Sequence, residues 1–144
     1  MIHDRAWLAA HLPHQGTMCL LDGVETCDPQ HIVCTASSHQ RTDHPLRRGG
    51  RLGIAIGVEY AAQAMAAHGA MLGGGDRPRV GYVASVRSLE LLADRLDCEH
   101  PLEIVAERLS GDDHTVLYRF TVGAGGNRLL RGRATVVLRA GDAT

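Results

Sequence analysis

Two segments of alternating or continuous apolar residues open the chain, at 17–25 and 31–37, and the turn Asp28-Pro29-Gln30 separates them. Both read as strands. Ahead of them, residues 4–11 predict a short helix with Asp4 as its N-cap, ended near Pro13. Residues 39–50 are polar and rich in Arg and close on Gly49-Gly50, the signature of a loop. Residues 53–72 are almost wholly apolar and predict one long helix, which the run Gly73-Gly74-Gly75-Asp76 breaks. The remainder reads as strands at 79–89, 101–109, 114–122 and 128–138. The last alternates cleanly, with Leu130, Gly132, Ala134, Val136 and Leu138 on one face and Arg131, Arg133 and Thr135 on the other.

Two strands, one helix and about four strands imply an α+β fold. An antiparallel sheet with one apolar face needs a cover, and the only long apolar element is the 53–72 helix, so the sheet should wrap around it. Small residues at helical spacing (Gly53, Gly57, Ala61, Ala64) let the two backbones approach closely. The helix is long enough to span a bilayer. However, it carries Glu59, Gln63 and His68, and a carboxylate near mid-span costs about 2.5–3.5 kcal/mol there. A helix buried in a soluble protein is the expectation. A length of 144 residues fits a single domain over 1–144.

Composition narrows the classes further. Fifteen basic and sixteen acidic side chains give a net charge of −1, which argues against a nucleic-acid binder. Lys is absent, so a lysine Schiff base is excluded. Five aromatic residues are too few for a base-stacking platform. Cys19, Cys27, Cys34 and Cys98 form no Cys-x-x-Cys, and nothing at the start resembles a signal peptide, so reduced thiols in the cytoplasm are expected.

Glu59 and Gln63 lie four residues apart and share a helix face. A carboxylate in an apolar helix must be hydrogen-bonded, ion-paired or placed in a pocket that raises its pKa. It is either satisfied by Gln63 or a nearby Arg, or it does chemistry. His44, in the loop feeding the helix, would supply the second group that acid–base catalysis needs. His68, nine residues after Glu59, falls nearly on the opposite side and reads as a core or interface histidine. His11 and His14 make a weak pair, and no cluster has zinc-ligand spacing. Arg41, Arg47, Arg48 and Arg51 against Asp43 leave a surplus of three positive charges on the loop. That surplus is either a solvated rim or a docking patch for an acidic partner.

Leu12-Pro13-His14 followed by Met18-Cys19-Leu20-Leu21-Asp22-Gly23-Val24 resembles the opening of the β-hydroxyacyl-acyl carrier protein dehydratases. Glu59-Tyr60-Ala61-Ala62-Gln63-Ala64 resembles their central helix, where a catalytic acid precedes Gln by four residues, and Gly81-Tyr82-Val83-Ala84 fits the pattern that follows. The similarity spans most of the chain and extends to the dehydratase-like proteins of aryl-polyene and related bacterial lipid clusters.

The resemblance implies a hot-dog fold, an antiparallel sheet wrapped around one long central helix. It also implies dehydration of a 3-hydroxyacyl thioester carried on the phosphopantetheine of an acyl carrier protein. His44 would remove the α-proton and Glu59 would protonate the leaving hydroxyl. Gly53, Ile54 and Gln63 would serve the substrate and its oxyanion, with Arg47, Arg48 and Arg51 docking the carrier protein. No metal or other cofactor is implied. The cleft would lie between two subunits, in a homodimer or in a heterodimer with a related hot-dog subunit. The loop departs from the family's usual His-Phe-Pro-Gly, and its His-to-Glu separation is one residue longer. Two alternatives follow: a thioesterase acting through Glu59 without His44, and a non-catalytic partner of an active dehydratase subunit.

Overall fold

The computed structural model describes residues 1–14, 16–72 and 79–140. Helix α1 (Arg5–His11) begins where the Asp4 carboxylate accepts the Trp7 N–H at 3.0 Å. Strands β1 (Gly23–Cys27) and β2 (His31–Ala36) follow, and then helix α2 (Gly57–Leu72). Four long strands complete the chain: β3 (Arg79–Leu91), β4 (Leu102–Gly111), β5 (Thr115–Ala124) and β6 (Asn127–Ala140). All six strands form one antiparallel sheet in the order β1-β2-β4-β5-β6-β3. This is the sheet-around-a-helix arrangement of a hot-dog fold.

The predicted strands are all present, with shifted ends. β1 starts at Gly23 rather than Thr17, because residues 16–18 form a 3-10 turn and residues 19–22 are not in a strand, although the Asp22 N–H already donates to the Thr35 carbonyl of β2 (2.8 Å). The predicted helix also splits. Residues 54–56 form a 3-10 turn and the α-helix proper begins at Gly57, since the backbone before it is tied elsewhere. The Leu96 N–H donates to the Leu52 carbonyl (2.9 Å) and the Ile54 N–H to the Asp94 carbonyl (3.3 Å). The expected Gly73–Asp76 break lies outside the described residues.

The concave face of the sheet covers α2. Tyr60, Ala61, Ala64, Met65 and Ala67 are buried against Ile32, Cys34, Ile104, Phe120, Val122 and Leu130. The small-residue stripe explains the close approach at Gly57, where an added Cβ would sit 2.1 Å from Leu130 Cδ2. Gly53 has nothing within 4 Å of a built Cβ, so it plays no part in that packing. On β6 the predicted alternation holds, with Leu130, Ala134 and Val136 buried and Arg131 and Arg133 exposed. β3, which with β1 forms the edges of the sheet, leaves Tyr82, Val83, Leu89 and Leu91 exposed, and Leu92 just beyond it is exposed too. No described helix is long and apolar enough to cross a membrane.

Candidate active site

Consecutive residues of a helix are turned by about 100° from one another. On α2 this sends Glu59 outward, where it is exposed, and Tyr60 inward, where it is fully buried. Gln63, one turn on, is also buried, but its amide is not paired with Glu59. Its Oε1 accepts the Leu20 N–H (2.9 Å) and its Nε2 donates to the Met18 carbonyl (2.7 Å). Gln63 therefore pins the segment before β1 to the helix, and the substrate role expected of it gives way to a clamp on the backbone. Burial pushes the His14 imidazole below its ordinary value, and the Glu59 carboxylate opposes that shift. His14 Nδ1 is buried and finds no hydrogen-bond partner among the described residues.

His44 is buried at 6% exposure, on the inner side of the loop before α2. Its Nε2 lies 3.0 Å from the Tyr60 hydroxyl, and its Nδ1 accepts the Leu46 N–H at 3.1 Å. Tyr60 in turn meets Ser38 Oγ at 2.7 Å, and Ser38 donates to the Leu20 carbonyl, also at 2.7 Å. Burial holds the imidazole below its ordinary value, helped by the nearby charges of Arg47 and Arg41. Burial also raises the Tyr60 phenol to about 12. Within one chain, then, the structure does not bring the proposed acid and base together: Glu59 faces out and His44 faces Tyr60.

The loop that carries His44 is braced by Arg47. Its Nε donates to the Arg41 carbonyl (2.7 Å), its Nη2 to the His39 carbonyl (2.9 Å), and its Nη1 to the Gly50 carbonyl (3.1 Å) and Asp97 (3.0 Å). Arg95 holds the other side of Asp97, and the two guanidiniums keep that carboxyl well below the usual range. Arg47 is thus a structural brace, with its side chain only 15% exposed, and is not available to a docking partner. Arg41 is exposed but paired with Asp43. Arg48 and Arg51 are exposed and face each other across a two-residue turn. Each N–H donates to the other's carbonyl, at 2.8 and 3.0 Å. That turn needs positive φ at both central positions, which Gly49 (58°) and Gly50 (74°) supply.

The helix-start donors also need correction. The Ile54 N–H, expected to face an oxyanion, is taken by Asp94, while Gly53 is exposed with open space around it. His68 is a core histidine, as its position suggested. Its Nε2 donates to the Asp28 carbonyl and its Nδ1 accepts from the Tyr118 hydroxyl, both at 2.8 Å. Among the described residues no group of three His, Cys, Asp or Glu could hold a metal ion. A polar groove lined by Thr35, Glu103, Thr121 and Arg128 lies by the β5–β6 turn and contains none of the predicted site residues. The sequence reading overlooked Ser38 and Tyr60. A signal was present, since a Tyr one residue from an outward acid on a buried helix must turn its hydroxyl inward and find a partner there.

A search of curated proteins returned no match. Among solved structures, the chain is similar to the dehydratase heterocomplex ApeI:P from Xenorhabdus doucetiae, at a TM-score of 0.76 and 21% identity over 92% of this chain and 90% of that one. It is also similar to a putative thioesterase from Silicibacter sp. TM1040 (TM-score 0.68, 14% identity, 96% and 94% covered). A third likeness is to the E. coli PaaI protein of a phenylacetic acid degradation operon (0.65, 12%, 92% and 88%). At these identities the likenesses establish the hot-dog fold. The ApeP-like family, described as ApeP dehydratase, matches residues 7–143, and the chain belongs to that family.

Proposed function

We propose that the protein dehydrates a 3-hydroxyacyl-acyl carrier protein thioester to the enoyl thioester, working as one of two paired hot-dog subunits. Glu59 supports the reading: it is a carboxylate on the central helix, at the position that the motif resemblance gives to the family's acid, and the folded chain leaves it exposed. In the reaction, His44 takes the α-proton and the electron pair moves through an enolate into the new carbon–carbon double bond. Glu59 delivers its proton to the departing hydroxyl, which leaves as water. Proton exchange with solvent then resets both groups. The reading needs no metal or redox cofactor.

The second subunit follows from the same geometry. Glu59 and the His44 of its own chain face apart, so a complete acid–base pair requires the base of another chain. Among the described residues one edge of β3 has no strand beside it, and the exposed Tyr82, Val83, Leu89 and Leu91 along it suit pairing with a second hot-dog subunit, whether a copy or a relative. Exposed Arg48 and Arg51 suit an acidic carrier protein.

One observation favours a thioesterase acting through Glu59 alone: both ring nitrogens of His44 are hydrogen-bonded within the chain. Incubation with a 3-hydroxyacyl carrier-protein thioester separates the readings by product. Enoyl thioester is expected; free acid would replace dehydration with hydrolysis. Carrier binding without turnover would make this chain the non-catalytic subunit.

A further inference from the structure

The hydrogen bonds from Leu46 to Leu20 form a chain whose direction is fixed at both ends. At one end a backbone N–H, which can only donate, meets His44 Nδ1 (3.1 Å). At the other a backbone carbonyl, which can only accept, meets Ser38 Oγ (2.7 Å). Ser38 must give its proton to Leu20, so Tyr60 must give its proton to Ser38, and the Tyr60 oxygen is left to accept from His44 Nε2. Both ends favour the same state, the proton on Nε2 and the lone pair on Nδ1, and it takes the two together to fix it, so losing either one lets the second tautomer be populated. Ser38, His44 and Tyr60 are all buried, so water does not compete for these positions. The Arg47 brace fixes the loop around the ring.

We propose that Tyr60, backed by Ser38, is the positioning residue that holds the His44 proton on Nε2 and so makes Nδ1 the basic nitrogen, capped at rest by the Leu46 amide. This rests on the dehydratase reading for its use, though not for its geometry. Substrate or a partner subunit must displace the Leu46 amide before Nδ1 can take the α-proton. While it is displaced, only the Tyr60–Ser38 arm keeps the tautomer, and the neutral phenol accepts the Nε2–H of the imidazolium that forms. The arrangement parallels the carboxylate that orients a catalytic histidine elsewhere, with a hydroxyl pair in its place.

The test is the ring-nitrogen spectrum of His44 in 15N-labelled protein. Wild type should show a protonated Nε2 and an unprotonated Nδ1. Ser38→Ala does not touch His44, yet it frees the Tyr60 proton to point at Nε2. It should populate the second tautomer, and Tyr60→Phe should do the same by removing the acceptor. In both variants kcat should fall about tenfold with KM little changed, the scale of one neutral hydrogen bond. A wild-type proton on Nδ1, or identical tautomers in all three proteins, would overturn the assignment. If the tautomer shifts while wild type dehydrates no thioester, the assignment stands and the dehydratase reading fails.

Discussion

Glu59 and Tyr60 are neighbours in the chain and opposites in the fold: the carboxylate stands in solvent while the phenol is fully buried beneath it and bonded to His44. One helical step thus separates an exposed carboxylate from a buried phenol that is bonded to His44. Substitutions at the two positions should have different consequences.

Glu59→Gln keeps the shape and removes the proton donor. Dehydration should fall by about 10²–10⁴-fold, the usual contribution of a positioned acid. Thermal unfolding and subunit assembly should be unchanged, because the carboxylate supports nothing inside the fold. Retained turnover would remove Glu59 from the mechanism. His44→Ala should lower kcat for both a carrier-protein thioester and a small thioester mimic; full activity would favour hydrolysis through Glu59.

Arg48→Glu with Arg51→Glu should raise KM for the carrier-protein substrate and leave a small mimic nearly unaffected. The difference should shrink as salt shortens the Debye length from about 10 Å at 0.1 M to about 3 Å at 1 M. Arg47→Ala should behave differently, lowering the melting temperature and reducing turnover of both substrates, because it unties His39, Arg41 and Gly50 and strips Asp97 of one of its two partners. An Arg47 effect confined to the carrier substrate would contradict the bracing role.

Gly57→Ala forces a methyl group toward Leu130 in a packed core. Overpacking of this kind costs about 1–3 kcal/mol. The helix-propensity gain of Ala over Gly, at most about 1 kcal/mol, is smaller at the first helical residue. The urea midpoint should drop with the slope unchanged, and Leu130→Val should recover part of the loss. Additive effects of the two changes would show that the contact does not carry the cost.

Burial depresses His39, His44 and His68 below their ordinary 6.5. The unfolded chain takes up protons near that value, while the folded chain resists to lower pH. Between the two, the unfolded state binds more protons, so stability is complete above pH 6.5 and lost as pH falls through the depressed values. Urea midpoints at pH 7.5 and 5.5 should differ in that direction, and a flat profile would place the three rings in solvent.

The sheet, the long helix and the partition of β6 were legible because they depend on local periodicity. The clamp, the brace and the hydroxyl relay were not. Gln63 meets Leu20 across 43 residues, and Arg47 meets Asp97 across 50. No spacing rule reports such pairs, since they exist only once the sheet has curled around the helix. Residue type and motif single out Glu59, and the fold leaves it exposed on α2. Arg47 and Ile54 were given roles from charge and position alone, and their hydrogen bonds assign them to the scaffold instead.

The free edge of β3 also bears on how the protein is made. A strand edge that no described strand pairs, with Tyr82, Val83, Leu89 and Leu91 exposed along it, can template another extended chain, and within the described strand only exposed Arg87 and Glu90 and two register shifts blunt it. With the second subunit proposed above covering that edge, solubility becomes a matter of stoichiometry. A chain synthesised in step with that subunit is expected to stay dispersed, and one made in excess to aggregate through this edge.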